Sequence, residues 1–176
     1  TLRNQVRRFP LPVPESSNRE IWELLSDPDG KMWIGTYDNG IFIVNRYGEI
    51  EKQIIPDPSN NRSRTVRSIS LDNKHNYWIG TRGGLYIYNK TEGFISYYHH
   101  DERESRSLSG NSVLHIFHDR MGNTWIGTRT GINYLIHSKQ LFTRFRAMPG
   151  DNRYLNSSEI WAFWLDQEGK IWIGTE

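Results

Sequence analysis

The sequence predicts an all-β fold, a β-propeller fragment of about three and a half blades with four antiparallel strands each. Three observations predict it. The tetrapeptide Trp-Ile-Gly-Thr occurs at Trp33, Trp78, Trp125 and Trp172, at steps of 45, 47 and 47 residues. An Asp stands six residues before each of these tryptophans, at Asp27, Asp72, Asp119 and Asp166. Aliphatic residues at Ile21, Val66, Val113 and Ile160 precede those aspartates by six more. A period of this length, filled by short apolar runs between turn residues, is that of a propeller blade and excludes helical repeats, which need apolar positions at i, i+3, i+4 and i+7.

Taken along the chain, residues 5–10 align with Leu141-Phe-Thr-Arg-Phe145 and read as the trailing strand of a preceding blade. The first blade spans 21–55. Ile21–Ser26 is a strand, Asp27-Pro-Asp-Gly30 a turn, Met32–Thr36 a strand, Tyr37-Asp-Asn-Gly40 a turn, Ile41–Asn45 a strand and Glu49–Ile55 the last strand. Asp bonds nearby backbone N–H groups and Gly tolerates positive φ, which makes both turns cheap. The second blade spans 66–99, where Leu85 and Ile87 alternate with Tyr86 and Tyr88 at the two-residue period of a strand. The third spans 113–146, and 160–176 reads as the first half of a fourth. The four repeated indoles are expected in the layers between blades, where flat side chains bury large areas. The Gly of each tetrapeptide is expected at a close approach or a bulge. Because a propeller of fewer than four blades leaves open faces, the chain is expected to be part of a longer protein. As an isolated fragment it is expected to self-associate.

Composition narrows the function. With 22 Lys and Arg against 20 Asp and Glu, the chain lacks the basic excess of a nucleic-acid binder, so no nucleic-acid partner is expected. The absence of Cys excludes disulfides and thiolate metal sites. No apolar run reaches the length of a membrane span, so direct membrane contact is not expected of this segment. Asp27-Pro-Asp-Gly30 has the start of a calcium loop without its downstream Glu, and His115 and His118 fall on opposite faces of a strand; no metal or other cofactor is expected. Gly122-Asn-Thr-Trp125 is similar to the end of a sialidase Asp box, but its Asp lies one residue too far upstream. With no unique carboxylate pair and no Gly-x-Ser-x-Gly, a non-catalytic module is expected.

Residues that vary between repeats are the candidates for ligand contact, because the shared ones are explained by packing. At the turns after the tetrapeptides these are Tyr37, Asp38, Arg82 and Arg129; at the starts of the first strands they are Trp22, Arg67 and Trp161, with His115 beside them. The long loops at 56–65, 101–112 and 148–158 add Arg62, Arg64, Arg103, Arg106, Asn111, Arg153 and Tyr154. Guanidinium forks bind carboxylate or sulfate, and aromatic faces stack on sugar rings, so this set suits an acidic oligosaccharide. The same arginines, several beside Asp and Glu, also suit a solvated loop.

The pattern V-x-x-I-x-x-D-x-x-G-x-x-W-I-G-T-x-x-G, met at Val113, Ile116, Asp119, Gly122, Trp125–Thr128 and Gly131, resembles the two-component regulator propeller repeat. The preceding loop Ser107-Leu-Ser-Gly-Asn-Ser-Val113 fits as well. The first copy has one extra residue before Gly40, and the second has His75 in place of Gly. The resemblance implies the periplasmic sensor region of a Bacteroidetes hybrid two-component histidine kinase, in which propellers precede a β-sandwich, a membrane helix and the kinase. It implies further blades and downstream domains as intramolecular partners, and oligosaccharides as signals. The alternatives are a protein-interaction scaffold and a propeller glycoside hydrolase.

Overall fold

The computed structural model describes residues 9–136, 141–145, 147–148, 150–151 and 153–176. Blade 1 is a sheet of β1 (Ile21–Ser26), β2 (Met32–Thr36), β3 (Ile41–Val44) and β4 (Ile50–Ile54). Blade 2 holds β5 (Val66–Leu71), β6 (Asn76–Thr81), β7 (Gly84–Asn89) and β8 (Gly93–Tyr98). Blade 3 holds β9 (Val113–His118), β10 (Thr124–Thr128), β11 (Gly131–Ile136) and β12 (Leu141–Phe145). In each, consecutive strands pair antiparallel in sequence order, and β13 (Ile160–Leu165) with β14 (Ile171–Thr175) makes a two-stranded sheet, blade 4. The fold is therefore all-β, a β-propeller fragment. Of the trailing strand expected at 5–10, residues 5–8 lie outside the described residues, and Phe9 and Pro10 belong to no strand. Arg146 also lies outside them.

Strand ends differ from expectation where turns claim backbone groups. Glu49 is not in β4: its carbonyl accepts the Asn45 N–H and the Gly48 N–H bonds Asn45, which closes the hairpin at Glu49. His99 is not in β8, because its carbonyl turns into the loop to accept the Leu108 N–H.

The first hairpin of every blade is the same three-residue loop. Asp27 N–H donates to the Lys31 carbonyl and Gly30 N–H to the Asp27 carbonyl, with Gly30 at φ 75°. A type I turn followed by a left-handed residue matches the twist of the strands it joins. In blade 2 the left-handed residue is His75, at φ 62°.

The Asp does more than turn the chain. In each copy one carboxylate oxygen accepts loop N–H groups while the other accepts the indole N–H of the Trp six residues on. These lengths are 3.0 Å for Asp27 with Trp33, 3.0 Å for Asp72 with Trp78, 3.1 Å for Asp119 with Trp125 and 2.9 Å for Asp166 with Trp172. Each Thr of the tetrapeptide ties the second hairpin: the Thr36, Thr81 and Thr128 hydroxyls donate to the carbonyls of Gly40, Gly84 and Gly131.

Packing between blades follows the two-residue period. Trp33, Ile41 and Ile43 face blade 2 and join Val66, Ile69, Tyr77 and Ile79 in one core, while Ile34, Phe42 and Val44 point the other way, onto Leu11 and Val13. Trp78 joins Val113, Ile116 and Ile126 between blades 2 and 3. Trp33 stacks on Tyr77 at 3.9 Å between centroids, and Trp78 meets His118 edge-on at 5.4 Å. Each repeated Trp thus faces the following blade. Its burial accordingly declines along the chain: Trp33 is fully buried, Trp125 half-buried against two-stranded blade 4, and Trp172 is 59% exposed. The expectation of four core indoles is corrected at Trp172, because among the described residues no strand lies on that face.

Candidate functional site

The site begins with a defect repeated in every first strand. The ladder pairs Ile21 with Thr36 and Glu23 with Gly35, so Trp22 is left over as a β-bulge. Arg67, Leu114 and Trp161 are left over in the same way. A bulge frees one residue from the ladder and re-aims its side chain. The sequence candidates Trp22, Arg67 and Trp161 occupy these positions. The equivalent residue of blade 3 is Leu114, which is buried, whereas His115 lies one residue further and packs toward Phe163 at 5.8 Å. Leu114 follows the shared aliphatic Val113 directly, as Trp22, Arg67 and Trp161 follow theirs.

A second repeated contact brings the turn candidates to the same end. The N–H of the residue after each tetrapeptide bonds the carbonyl just before its first strand: Tyr37 to Glu20, Arg82 to Thr65, Arg129 to Ser112 and Glu176 to Glu159. Bulge residue and turn residue therefore sit beside one another in each blade. The first strands of neighbouring blades also pack side by side, β1 with β5, β5 with β9 and β9 with β13.

These constraints assemble a continuous strip. Tyr37 lies 6.3 Å from Trp22, centroid to centroid, and the Arg67 guanidinium sits 4.7 Å from the Trp22 ring. From Arg67 the strip opens into a recess of about 460 Å³ lined by Arg62, Arg67, Arg82, Arg129, Asn111 and Ser112, with Gly110 and Thr130. Burial, then the charges of Arg129 and Arg82, push the Arg67 pKa down, and Glu159 opposes them. Glu159 lies 3.5 Å from the Arg129 guanidinium. Neither Leu114 nor Glu159 was singled out by sequence, since nothing about an acid before a strand marks it as facing another blade.

The remaining candidates separate from this cluster. Asp38 is occupied in its own turn, accepting from Asn18 N–H and the Asn39 amide. Trp161 is 41% exposed and does not line the recess. Arg103 and Arg106 donate their backbone N–H groups to Asp101 and Glu104, as in a solvated loop. Arg153 and Tyr154 line a different recess, of about 440 Å³, with Trp125, Phe145 and Ile173. That second space is the gap between blade 3 and the two-stranded sheet. Two of the histidines have hydrogen-bond partners: His100 Nδ1 lies 2.7 Å from the Leu108 carbonyl and His118 Nδ1 3.0 Å from the Thr124 hydroxyl. Among the described residues no three His, Asp or Glu side chains are grouped to hold a metal ion, and no helix is long and apolar enough to cross a membrane.

With this geometry in view, two segments, residues 15–38 and 107–130, match the family pattern described as two component regulator propeller. Each match runs from the loop before a first strand through the tetrapeptide to the turn beyond it. Among solved structures, the chain is similar to the extracellular domain of a B. thetaiotaomicron protein described as the hybrid two component system BT3049. The identity is 25% over 88% of this chain and 20% of that one, with a TM-score of 0.67. The extracellular domain of the B. thetaiotaomicron system BT4673 gives 23%, 88%, 20% and 0.68. Virginiamycin B lyase from Staphylococcus aureus, at 16% identity over 91% of this chain and 50% of its own, shares the fold with a TM-score of 0.64. The chain thus spans about a fifth of the two extracellular domains. No curated protein compared with it matches in sequence.

Proposed function

We propose that this chain, which carries the two component regulator propeller repeat in a fold like that of the B. thetaiotaomicron extracellular domains, is a non-catalytic part of a periplasmic sensor. Its role is to bind an oligosaccharide, or to relay that binding through the blades to a histidine kinase elsewhere in the same protein. The observation that carries the ligand reading is the Tyr37–Trp22–Arg67 strip. It places two half-buried rings beside a cation, on the end of the blades where repeat-to-repeat variation concentrates. Aromatic faces offer a sugar ring broad apolar contact, and a neighbouring guanidinium orients its polar groups.

Calorimetry of the whole extracytoplasmic region against a panel of neutral and acidic oligosaccharides tests this. Binding that weakens about tenfold in Tyr37→Ala supports the strip as the ligand face. Silence across the whole panel favours the second reading, a protein-interaction scaffold. That reading draws on the outer strand β8, where Phe94, Ile95, Tyr97 and Tyr98 are exposed. Release of shortened products would instead indicate a hydrolase.

A further inference from the structure

Arg67 is the one buried cation among the described residues. It is 91% buried, being 9% exposed, and its Nε and Nη1 have no hydrogen-bond partner among the described residues. A guanidinium stays protonated in proteins, so its charge cannot be relieved by losing a proton. Burying a charged group without a partner carries a heavy desolvation cost unless a counter-charge approaches. The stack on Trp22 satisfies the face of the guanidinium and leaves Nε and Nη1 without a partner.

Its surroundings increase the demand. Arg82 and Arg129 line the same recess and both are exposed to solvent. Arg62 lines it as well. The acid that faces this group is Glu159, already 3.5 Å from Arg129. One carboxylate against four guanidinium groups leaves a net positive recess. Asn111, Ser112 and Thr130 add neutral polar atoms at its wall, and the Ser112 hydroxyl is itself buried without a partner. Two unpartnered polar side chains from adjacent blades therefore converge on one concavity. Packing does not account for this, because the equivalent bulge positions hold Trp22, Leu114 and Trp161, none of them charged.

We propose that the recess between blades 2 and 3 is an oxyanion site that takes the sulfate group of a sulfated saccharide. Three forked guanidinium groups suit a sulfate ester, a permanent anion with three free acceptor oxygens, which a neutral sugar does not offer. Arg67 supplies the buried donors and Arg82 and Arg129 the exposed ones. The saccharide part of the assignment deepens the sensor reading and rests on it, since Trp22 joins the anion recess to the aromatic strip. The oxyanion part stands on the recess alone.

The test is titration calorimetry on the full chain at constant ionic strength, using sodium sulfate, a sulfated disaccharide and its unsulfated counterpart, with sodium chloride as reference. The expected result is saturable sulfate binding, tighter for the sulfated disaccharide and absent for the unsulfated one. Arg82→Gln and Arg129→Gln, both at exposed positions that leave the fold intact, should each weaken it about tenfold or more. Arg46→Gln, remote from the recess, should leave it unchanged. No heat with sulfate beyond the chloride reference overturns the site, and so does sulfate binding that survives both exposed-arginine substitutions. Sulfate binding with no gain from the disaccharide overturns the saccharide assignment of this recess, while the oxyanion site stands; the sensor reading falls separately, on silence across the whole oligosaccharide panel.

Discussion

At Asp27 the repeat's turn residue has become a buried ion. Burial pushes its pKa up, but hydrogen bonds from Lys90, the Lys31 N–H and the Trp33 indole outweigh this and hold the carboxyl at about 2. Lys90 comes from blade 2, 2.8 Å away, and the Tyr77 hydroxyl joins from the same blade at 3.2 Å. The pair is thus a clamp between blades. Because the folded-state pKa lies below the ordinary value of 3.8, this stability is complete above pH 3.8 and is lost as pH falls from there toward 2. The difference corresponds to about 2 kcal/mol. Denaturation followed from pH 5 to pH 2 should show that loss, and Asp27→Asn should be less stable at neutral pH and flatter over the acid range.

His75 makes the opposite case, a residue at odds with its backbone. At φ 62° it occupies the left-handed position that Gly30, Gly122 and Gly169 fill in the other blades. A side chain there costs about 1–2 kcal/mol, partly offset by the greater chain entropy of an unfolded Gly. His75→Gly is therefore expected to raise stability by about 0.5–1 kcal/mol, read as a higher midpoint in urea.

At the scale of the element, the tetrapeptide glycines show why one blade fits the next. A Cβ on Gly80 would lie 2.6 Å from the Val113 side chain of blade 3, and one on Gly127 2.8 Å from Ile160 of blade 4. The shared aliphatic residue of each first strand thus enters a notch that only Gly leaves in the preceding blade. Ile21, with no such notch before it among the described residues, is 45% exposed, whereas Val66, Val113 and Ile160 are fully buried. Gly80→Ala should cost about 1–3 kcal/mol by overpacking. Gly174→Ala, whose added carbon would meet nothing closer than 3.5 Å, should change stability by less than about 0.5 kcal/mol. Equal effects of the two substitutions on thermal unfolding would contradict the notch.

At the scale of the molecule, two blade faces carry no further blade among the described residues. One, covered in part by Leu11 and Val13, exposes Leu24 at 59%, and the other exposes Trp164 at 61% and Trp172 at 59%. Large apolar side chains grouped on an exposed sheet promote association. The 176-residue chain is accordingly expected to self-associate with rising concentration in light scattering. A monomer at every concentration would end that expectation.

The blade and its period were legible in sequence because each repeated residue answers a local need: Asp and Gly for a hairpin, alternating apolar residues for a sheet buried on both faces. The Asp–Trp bond was visible only as a spacing of six, since the pairing becomes evident once the hairpin folds the two strands together. Arg67, Arg82 and Arg129, with Trp22 and Tyr37, stood out in sequence as variable positions, and the structure places them at one end of the blades. What sequence could not supply is that these residues meet. Their convergence depends on a one-residue bulge at Arg67, on the angle between blades 2 and 3, and on Glu159 arriving from the following blade. Each is a matter of tertiary geometry. The repeat, by itself, determined the sheet, its turns and the side of each strand that faces a neighbour, because these are decided within one blade. Only the stacking of blades decided which arginine is buried without a partner, because that requires charges from three blades to share one space.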